Sequence, residues 1–74
     1  MKVSELIEAL SKLDPELHVF RPGYEGGFAD VTISRPQSFC LDVHAEWYYG
    51  PHETSSYLDE EARQSYKQVT GIIL

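Results

Sequence analysis

Residues 39–49 alternate between a mainly apolar and a mainly polar set of side chains, and this run constrains the fold more than any other. Successive side chains of a β-strand point to opposite faces, so we expect one face of this strand on a core and the other in water. The odd positions form the predicted inner face: Phe39, Leu41, Val43, Ala45, Trp47 and Tyr49. The even positions form the outer face: Cys40, Asp42, His44, Glu46 and Tyr48. In that register Trp47→Ala would cost about 3–5 kcal/mol of stability.

The first part of the chain predicts an amphipathic helix. Apolar side chains recur at helical spacing over residues 4–13, with Ser4 as a candidate N-cap. Asp14-Pro15 is expected to end this helix, because proline restricts the residue before it and cannot donate a backbone hydrogen bond.

Two extended runs follow, at residues 17–21 and 28–33, on either side of Gly26-Gly27. Runs of this kind around a glycine-rich loop predict a β-hairpin. Further on, Ser55 or Ser56 could cap a short helix within residues 54–67, with a loop as the alternative. The unbroken apolar run at 69–74 predicts a last strand covered on both faces and central in its sheet.

Together these elements predict an α+β fold in two layers. We expect a mostly antiparallel sheet of three or four strands, with the amphipathic N-terminal helix packed on one face. A chain of 74 residues has room for a single domain, residues 1–74, whose core is small enough to make its stability marginal. That margin leaves room for a homodimer, for which pairing of sheet edges would be one route.

The charge of the chain limits its partners. Twelve Asp and Glu outnumber six scattered Lys and Arg, for a formal net charge of −6. We therefore expect no direct binding to nucleic acid or to an anionic membrane, since both are bound by clustered cations. The single Cys40 cannot form an internal disulfide and is expected to be buried and inert, and neither a signal peptide nor an apolar span is expected. These features favour the cytoplasm.

Several segments resemble a group of small proteins encoded by bacteriophages and prophages. The resemblance rests on the opening Val3-Ser4-Glu5-Leu6-Ile7, on Asp14-Pro15, on the loop Gly23-Tyr24-Glu25-Gly26-Gly27-Phe28-Ala29-Asp30-Val31, and on Trp47-Tyr48-Tyr49-Gly50-Pro51-His52-Glu53. It covers most of the chain outside residues 54–68. It implies a bacterial or phage-infected host and no particular activity.

No constellation of residues predicts catalysis. Cys40 and His44 would lie about 13 Å apart along a strand, beyond hydrogen-bond reach. Imidazole and carboxylate groups could bind a metal ion or small ligand, but their spacing fits no zinc motif. The candidates for such a site are His44, Glu46, His52 and Glu53. We expect neither an enzyme nor a resident cofactor.

The leading hypothesis is a non-catalytic binding module that contacts a macromolecule of the host or phage, with a protein as the expected partner. A sharper version is an inhibitor of a host nucleic-acid enzyme. Aromatic residues dominate the energetics of interfaces, and an acidic rim would favour a basic partner. The predicted interaction surface comprises Tyr24, Glu25, Phe28, Asp30, Tyr48, His52 and Glu53. The alternative is a metal- or small-ligand-binding domain.

Overall fold

A computed structural model describes residues 1–74 as an α+β protein with two small antiparallel sheets. The chain divides into two compact units, Met1–Val31 and Thr32–Leu74. The predicted α+β class is confirmed, and the strands divide between two sheets, with two strands paired in the first unit and three in the second. The expectation of one domain stays a prediction.

The first unit begins with helix α1 at Val3–Ser11. Its N-cap is Lys2 and not Ser4, because the N–H of Lys2 donates to Oε1 of Glu5 at 2.7 Å. After the helix, the carboxylate of Asp14 accepts the N–H of Glu16, which makes the chain turn where Asp14-Pro15 predicts a stop. Apolar side chains of α1 are exposed apart from the half-buried Leu6, so packing of this helix on a sheet is not confirmed.

The predicted hairpin is confirmed in the first unit, with shorter strands than expected. Strand β1 at Phe20–Pro22 pairs antiparallel with β2 at Phe28–Asp30. Gly26 and Gly27 both have positive φ angles in the connecting loop, which residues without a side chain adopt at little cost.

The second unit contains a three-stranded sheet in the order β4-β3-β5. Strand β3 at Gln37–Cys40 is central and pairs antiparallel with β4 at Glu53–Thr54 and with β5 at Gln68–Gly71. The expectation that the last strand is central is therefore wrong: β5 pairs on one side only. Homodimer formation stays a prediction.

Between β4 and β5 lie a 3-10 turn at Ser55–Tyr57 and helix α2 at Glu60–Arg63. The N-cap of α2 is Asp59, whose carboxylate accepts the N–H of Ala62 at 2.7 Å, so the capping roles predicted for Ser55 and Ser56 are wrong. The predicted short helix itself is confirmed over four residues.

The buried centre of the second unit consists of Cys40 and Ser55. The Oγ atoms of Ser38 and Ser55 are hydrogen-bonded at 2.7 Å, and the Cys40 sulfur lies 3.6 Å from the Ser55 oxygen. Burial of Cys40 is as expected, whereas the inertness of its thiol stays a prediction. The burial also contradicts the alternation, which places Cys40 on the water face.

The predicted strand over residues 39–49 ends at Cys40. Asp42 takes a positive φ of 57°, a left-handed conformation that breaks an extended strand. The alternation describes two faces of a strand but names no neighbouring strand, and residues 43–49 pair with none. Trp47 and Tyr49 are consequently exposed, which overturns their assignment to a core.

Candidate binding surface

Residues 41–52 form a closed loop, here called the aromatic loop, between strands β3 and β4. The carbonyl of Pro51 accepts the N–H groups of Val43 and His44, the latter at 3.0 Å. At the tip, the N–H of Tyr49 donates to the carbonyl of Glu46 at 3.1 Å and closes a turn. Hydrogen bonds thus join both ends of the loop and shape its tip, which presents Trp47 and Tyr48 to solvent.

A second bond between the loop ends involves His52. Its Nδ1 accepts the N–H of Asp42 at 3.1 Å, so Nδ1 carries no proton in this arrangement. The Asp42 carboxylate is 4.0 Å from the same atom, a separation at which it makes no hydrogen bond. The His52 ring therefore holds the left-handed Asp42 in place through the backbone.

Five rings make consecutive contacts along this loop and the following 3-10 turn, and we call them the aromatic row: Trp47, Tyr48, Tyr49, His44 and Tyr57. The Tyr49 and His44 rings stack at 4.8 Å and 20°, and Tyr57 meets His44 edge-on at 6.1 Å. Trp47 is 93% exposed, Tyr48 and Tyr57 are 67% exposed, and Tyr49 is 56% exposed. The four Trp and Tyr rings of the row are thus open to solvent.

His44 is the enclosed member of the row, with 14% of its side chain exposed. Its Nε2 lies 3.0 Å from Oε1 of Glu53, and the other Glu53 oxygen accepts the N–H of Thr54 at 3.1 Å. The hydrogen bond from His44, followed by that from Thr54, lowers the pKa of the Glu53 carboxyl below its ordinary value. The anionic carboxylate therefore fixes the ring on which Tyr49 stacks.

The four candidate metal ligands do not converge. Glu53 curls back to His44 as the Gly50-Pro51 turn allows, whereas His52 contacts Asp42 and Glu46 makes no side-chain contact with either histidine. No group of three or more His, Cys, Asp or Glu side chains is arranged to hold a metal ion. Binding of a metal or small ligand stays a prediction that rests on one pair of ligands.

The predicted interaction residues fall into the two units. In the first unit Tyr24, Glu25, Phe28 and Asp30 are exposed on the hairpin, and Tyr24 and Asp30 help to line a surface cavity. In the second unit Tyr48 and His52 are exposed, while Glu53 is half-buried and engaged with His44. Glu53 therefore has a positioning role within its unit.

Four members of the aromatic row lie outside the interaction surface predicted from the sequence: His44, Trp47, Tyr49 and Tyr57. Trp47 and Tyr49 are assigned to a core by parity, which holds only inside a strand. The signal that could place these two is Gly50-Pro51, since a loop that closes at this turn leaves the three preceding aromatic residues at its tip.

Comparisons with protein-family models, with curated proteins and with solved structures each gave no match. No helix of the structure is long and apolar enough to cross a membrane.

Proposed function

We propose that this protein is a non-catalytic binding module that contacts a partner protein through the aromatic row. The observation that carries the proposal is a run of three exposed aromatic side chains in consecutive contact, Trp47, Tyr48 and Tyr49, on a loop closed by backbone hydrogen bonds. Tyr and Trp supply large contact area with few rotatable bonds, and they are enriched among the residues that dominate binding energy.

Charge favours a basic partner. Between Arg35 and Arg63 the chain has six carboxylates and no Lys or Arg, and this interval includes the whole aromatic row. The six are Asp42, Glu46, Glu53, Asp59, Glu60 and Glu61. Such a surface accelerates association with a cationic patch and disfavours polyanions. The sharper form of the proposal is inhibition of a host nucleic-acid enzyme, in which carboxylates occupy the place of phosphates.

The proposal is tested by immobilising the protein and capturing partners from a bacterial lysate with three versions of the chain. Wild type is compared with a Trp47→Ala/Tyr48→Ala double variant and with Ile33→Ala. Ile33 is a matched control, because it is an exposed apolar side chain of the same unit outside the aromatic row.

The expected result is a protein that both wild type and Ile33→Ala retain and that the double variant loses. Retention should weaken as salt rises, since exposed charges are screened. Equal capture by all three versions would remove the aromatic row as the contact surface. Purified partner then permits titration, and inhibition of a nucleic-acid enzyme is measured directly.

A further inference from the structure

Trp47 and Tyr48 form a right-angled corner at the tip of the aromatic loop. Their ring centroids are 5.6 Å apart and their planes meet at 88°. The contact is edge-to-face, and both rings are largely exposed, so the ring faces outside the contact are open to solvent. The negative quadrupole of an aromatic face attracts a cation placed over it, and two such faces act on one bound group.

The Tyr48 side of the corner is supported by the structure beneath it. Tyr48 contacts Tyr49 at 5.5 Å, Tyr49 stacks on His44, and Glu53 fixes His44. The backbone bond from Tyr49 to Glu46 closes the turn that carries both rings, while the side chain of Trp47 meets only Tyr48 in the row. A ring positioned before binding loses less conformational freedom when a ligand binds.

Nucleobases and cationic side chains are two classes of ligand that stack on exposed aromatic rings. Nucleobases arrive with phosphates, and proteins that stack them surround the rings with Lys and Arg. Here Glu46 precedes Trp47 directly, and no cation occurs in residues 36–62. The charge therefore selects the cationic side chain.

We propose that the Trp47–Tyr48 corner binds the guanidinium group of an arginine on the partner protein. Arginine suits the corner better than lysine, because its planar group is weakly hydrated, stacks on rings and donates hydrogen bonds to carboxylates at the same time. Glu46 is the neighbouring exposed carboxylate. This inference rests on the proposed function and names the chemistry of the partner.

The experiment uses the full chain and the fluorescence of Trp47, the only tryptophan, so that the signal comes from the corner itself. A short Arg-Gly repeat peptide is titrated in low salt beside two analogues. One carries citrulline, which keeps the shape of arginine without its charge, and the other carries lysine. An oligothymidylate is the fourth probe.

The arginine peptide should bind saturably, about tenfold more tightly than the citrulline peptide and several-fold more tightly than the lysine peptide. Tyr48→Phe should bind like wild type, Tyr48→Leu about tenfold more weakly and Glu46→Gln several-fold more weakly. Ile33→Ala should match wild type. Circular dichroism checks that each exposed-site variant retains the wild-type fold.

Any of three results would overturn the inference. The arginine and citrulline peptides bind equally, the arginine peptide shows no saturable binding, or Tyr48→Leu binds it with unchanged affinity. Tighter binding of oligothymidylate than of the arginine peptide would overturn it as well and assign the corner to nucleobases. If capture of a partner depends on Trp47 and Tyr48 but the peptide titration fails, the proposed function stands and only the arginine inference is lost. Failure of both experiments removes both.

Discussion

His44 and Glu53 are hydrogen-bonded at 3.0 Å and join the aromatic loop to strand β4. An ionised carboxylate only accepts hydrogen bonds, so Nε2 of His44 carries the hydrogen and donates it to Oε1 of Glu53. Because Tyr49 stacks on the same imidazole, the Glu53 carboxylate helps to position the ring of Tyr49, an exposed member of the aromatic row. The pair links the fold of the second unit to its candidate binding surface.

Glu53→Gln should destabilise the protein in a pH-dependent way. The pKa of Glu53 is lowered in the folded state, chiefly by the hydrogen bond from His44, so the ionised carboxylate favours folding. This contribution is fully present above the unfolded carboxyl pKa of about 4.3 and is lost as pH falls through the lowered folded pKa. The unfolding free energy of wild type should therefore exceed that of Glu53→Gln near neutral pH, and the two should converge in acid.

Urea unfolding at several pH values measures this difference. Glu46→Gln is the matched control, because Glu46 is exposed and has no hydrogen bond to a histidine. Its difference from wild type should vary less with pH. If the unfolding free energy of Glu53→Gln runs parallel to that of wild type over the whole acid range, the role of the His44–Glu53 bond is contradicted.

Trp47→Ala should leave the unfolding free energy within about 0.5 kcal/mol of wild type, as exposed substitutions do. The tryptophan emission of the native protein should lie at wavelengths typical of water contact, and acrylamide should quench it efficiently. A loss of about 3–5 kcal/mol in unfolding free energy would instead indicate that Trp47 is buried, as the alternation of residues 39–49 predicts.

Local signals predicted the parts of this fold that depend on neighbouring residues. The α1 spacing, the Asp14-Pro15 stop and the Gly26-Gly27 turn each act over a few residues, and each element is present in the structure. The capping residues differ from the predicted ones by two to four positions: Glu5 accepts the backbone N–H of Lys2, and the Asp59 carboxylate accepts the N–H of Ala62.

Sequence alone could not predict the pairing of strands in the second unit. Whether residues 43–49 extend β3 depends on a partner strand, and the only strands available, β4 and β5, pair with residues 37–40. The sequence groups His44 and Glu53 as candidate metal ligands and does not predict the hydrogen bond between them. The stacking of Tyr49 on His44 and the edge contact of Tyr57 depend on the closure of the aromatic loop. The alternation of side chains along a strand does not describe that closure.

Gly23→Ala should destabilise the hairpin of the first unit. The N–H of Gly23 donates to the carbonyl of Gly27 at 3.0 Å, and a Cβ at position 23 would overlap the carbonyl oxygen of Gly26. The backbone must shift to relieve that overlap, at about 1–3 kcal/mol. NMR of the Phe20–Asp30 cross-strand pair reports the loss.

Gly50→Ala is the control for that substitution, since a Cβ at position 50 meets no neighbouring atom and Gly50 has no positive φ. It should be close to neutral. Hairpin signals that are unchanged in Gly23→Ala would show that the loop does not approach itself this closely.

Arg63→Leu should cost about 1–3 kcal/mol, because it removes the hydrogen bonds of a charged side chain and leaves the Leu58 carbonyl without its donor, whereas the Ser55 carbonyl still accepts the N–H of Leu58. The Nε–H of Arg63 is shared between the carbonyl of Ser55, at 2.6 Å, and that of Leu58, at 2.9 Å. Both acceptors belong to the segment that leads from β4 into α2, so the arginine ties the 3-10 turn to the helix. Urea unfolding should show a smaller loss for Gln64→Leu, an exposed neighbour; equal losses would contradict this role for Arg63.

The Cys40 thiol should react with an aromatic disulfide reagent only when the second unit opens. Cys40 is fully buried, and its sulfur lies against Ser55, whose hydroxyl is also bonded to Ser38.

Ser55→Ala removes that shared hydroxyl and should lower the unfolding free energy by about 0.5–1.5 kcal/mol. Where opening is faster than chemical modification, the reaction rate follows the open population, so this loss predicts a rate about two- to tenfold higher. Ser56→Ala, at an exposed serine, should leave the rate unchanged. A native rate equal to that in concentrated urea would show that Cys40 is not enclosed by the sheet.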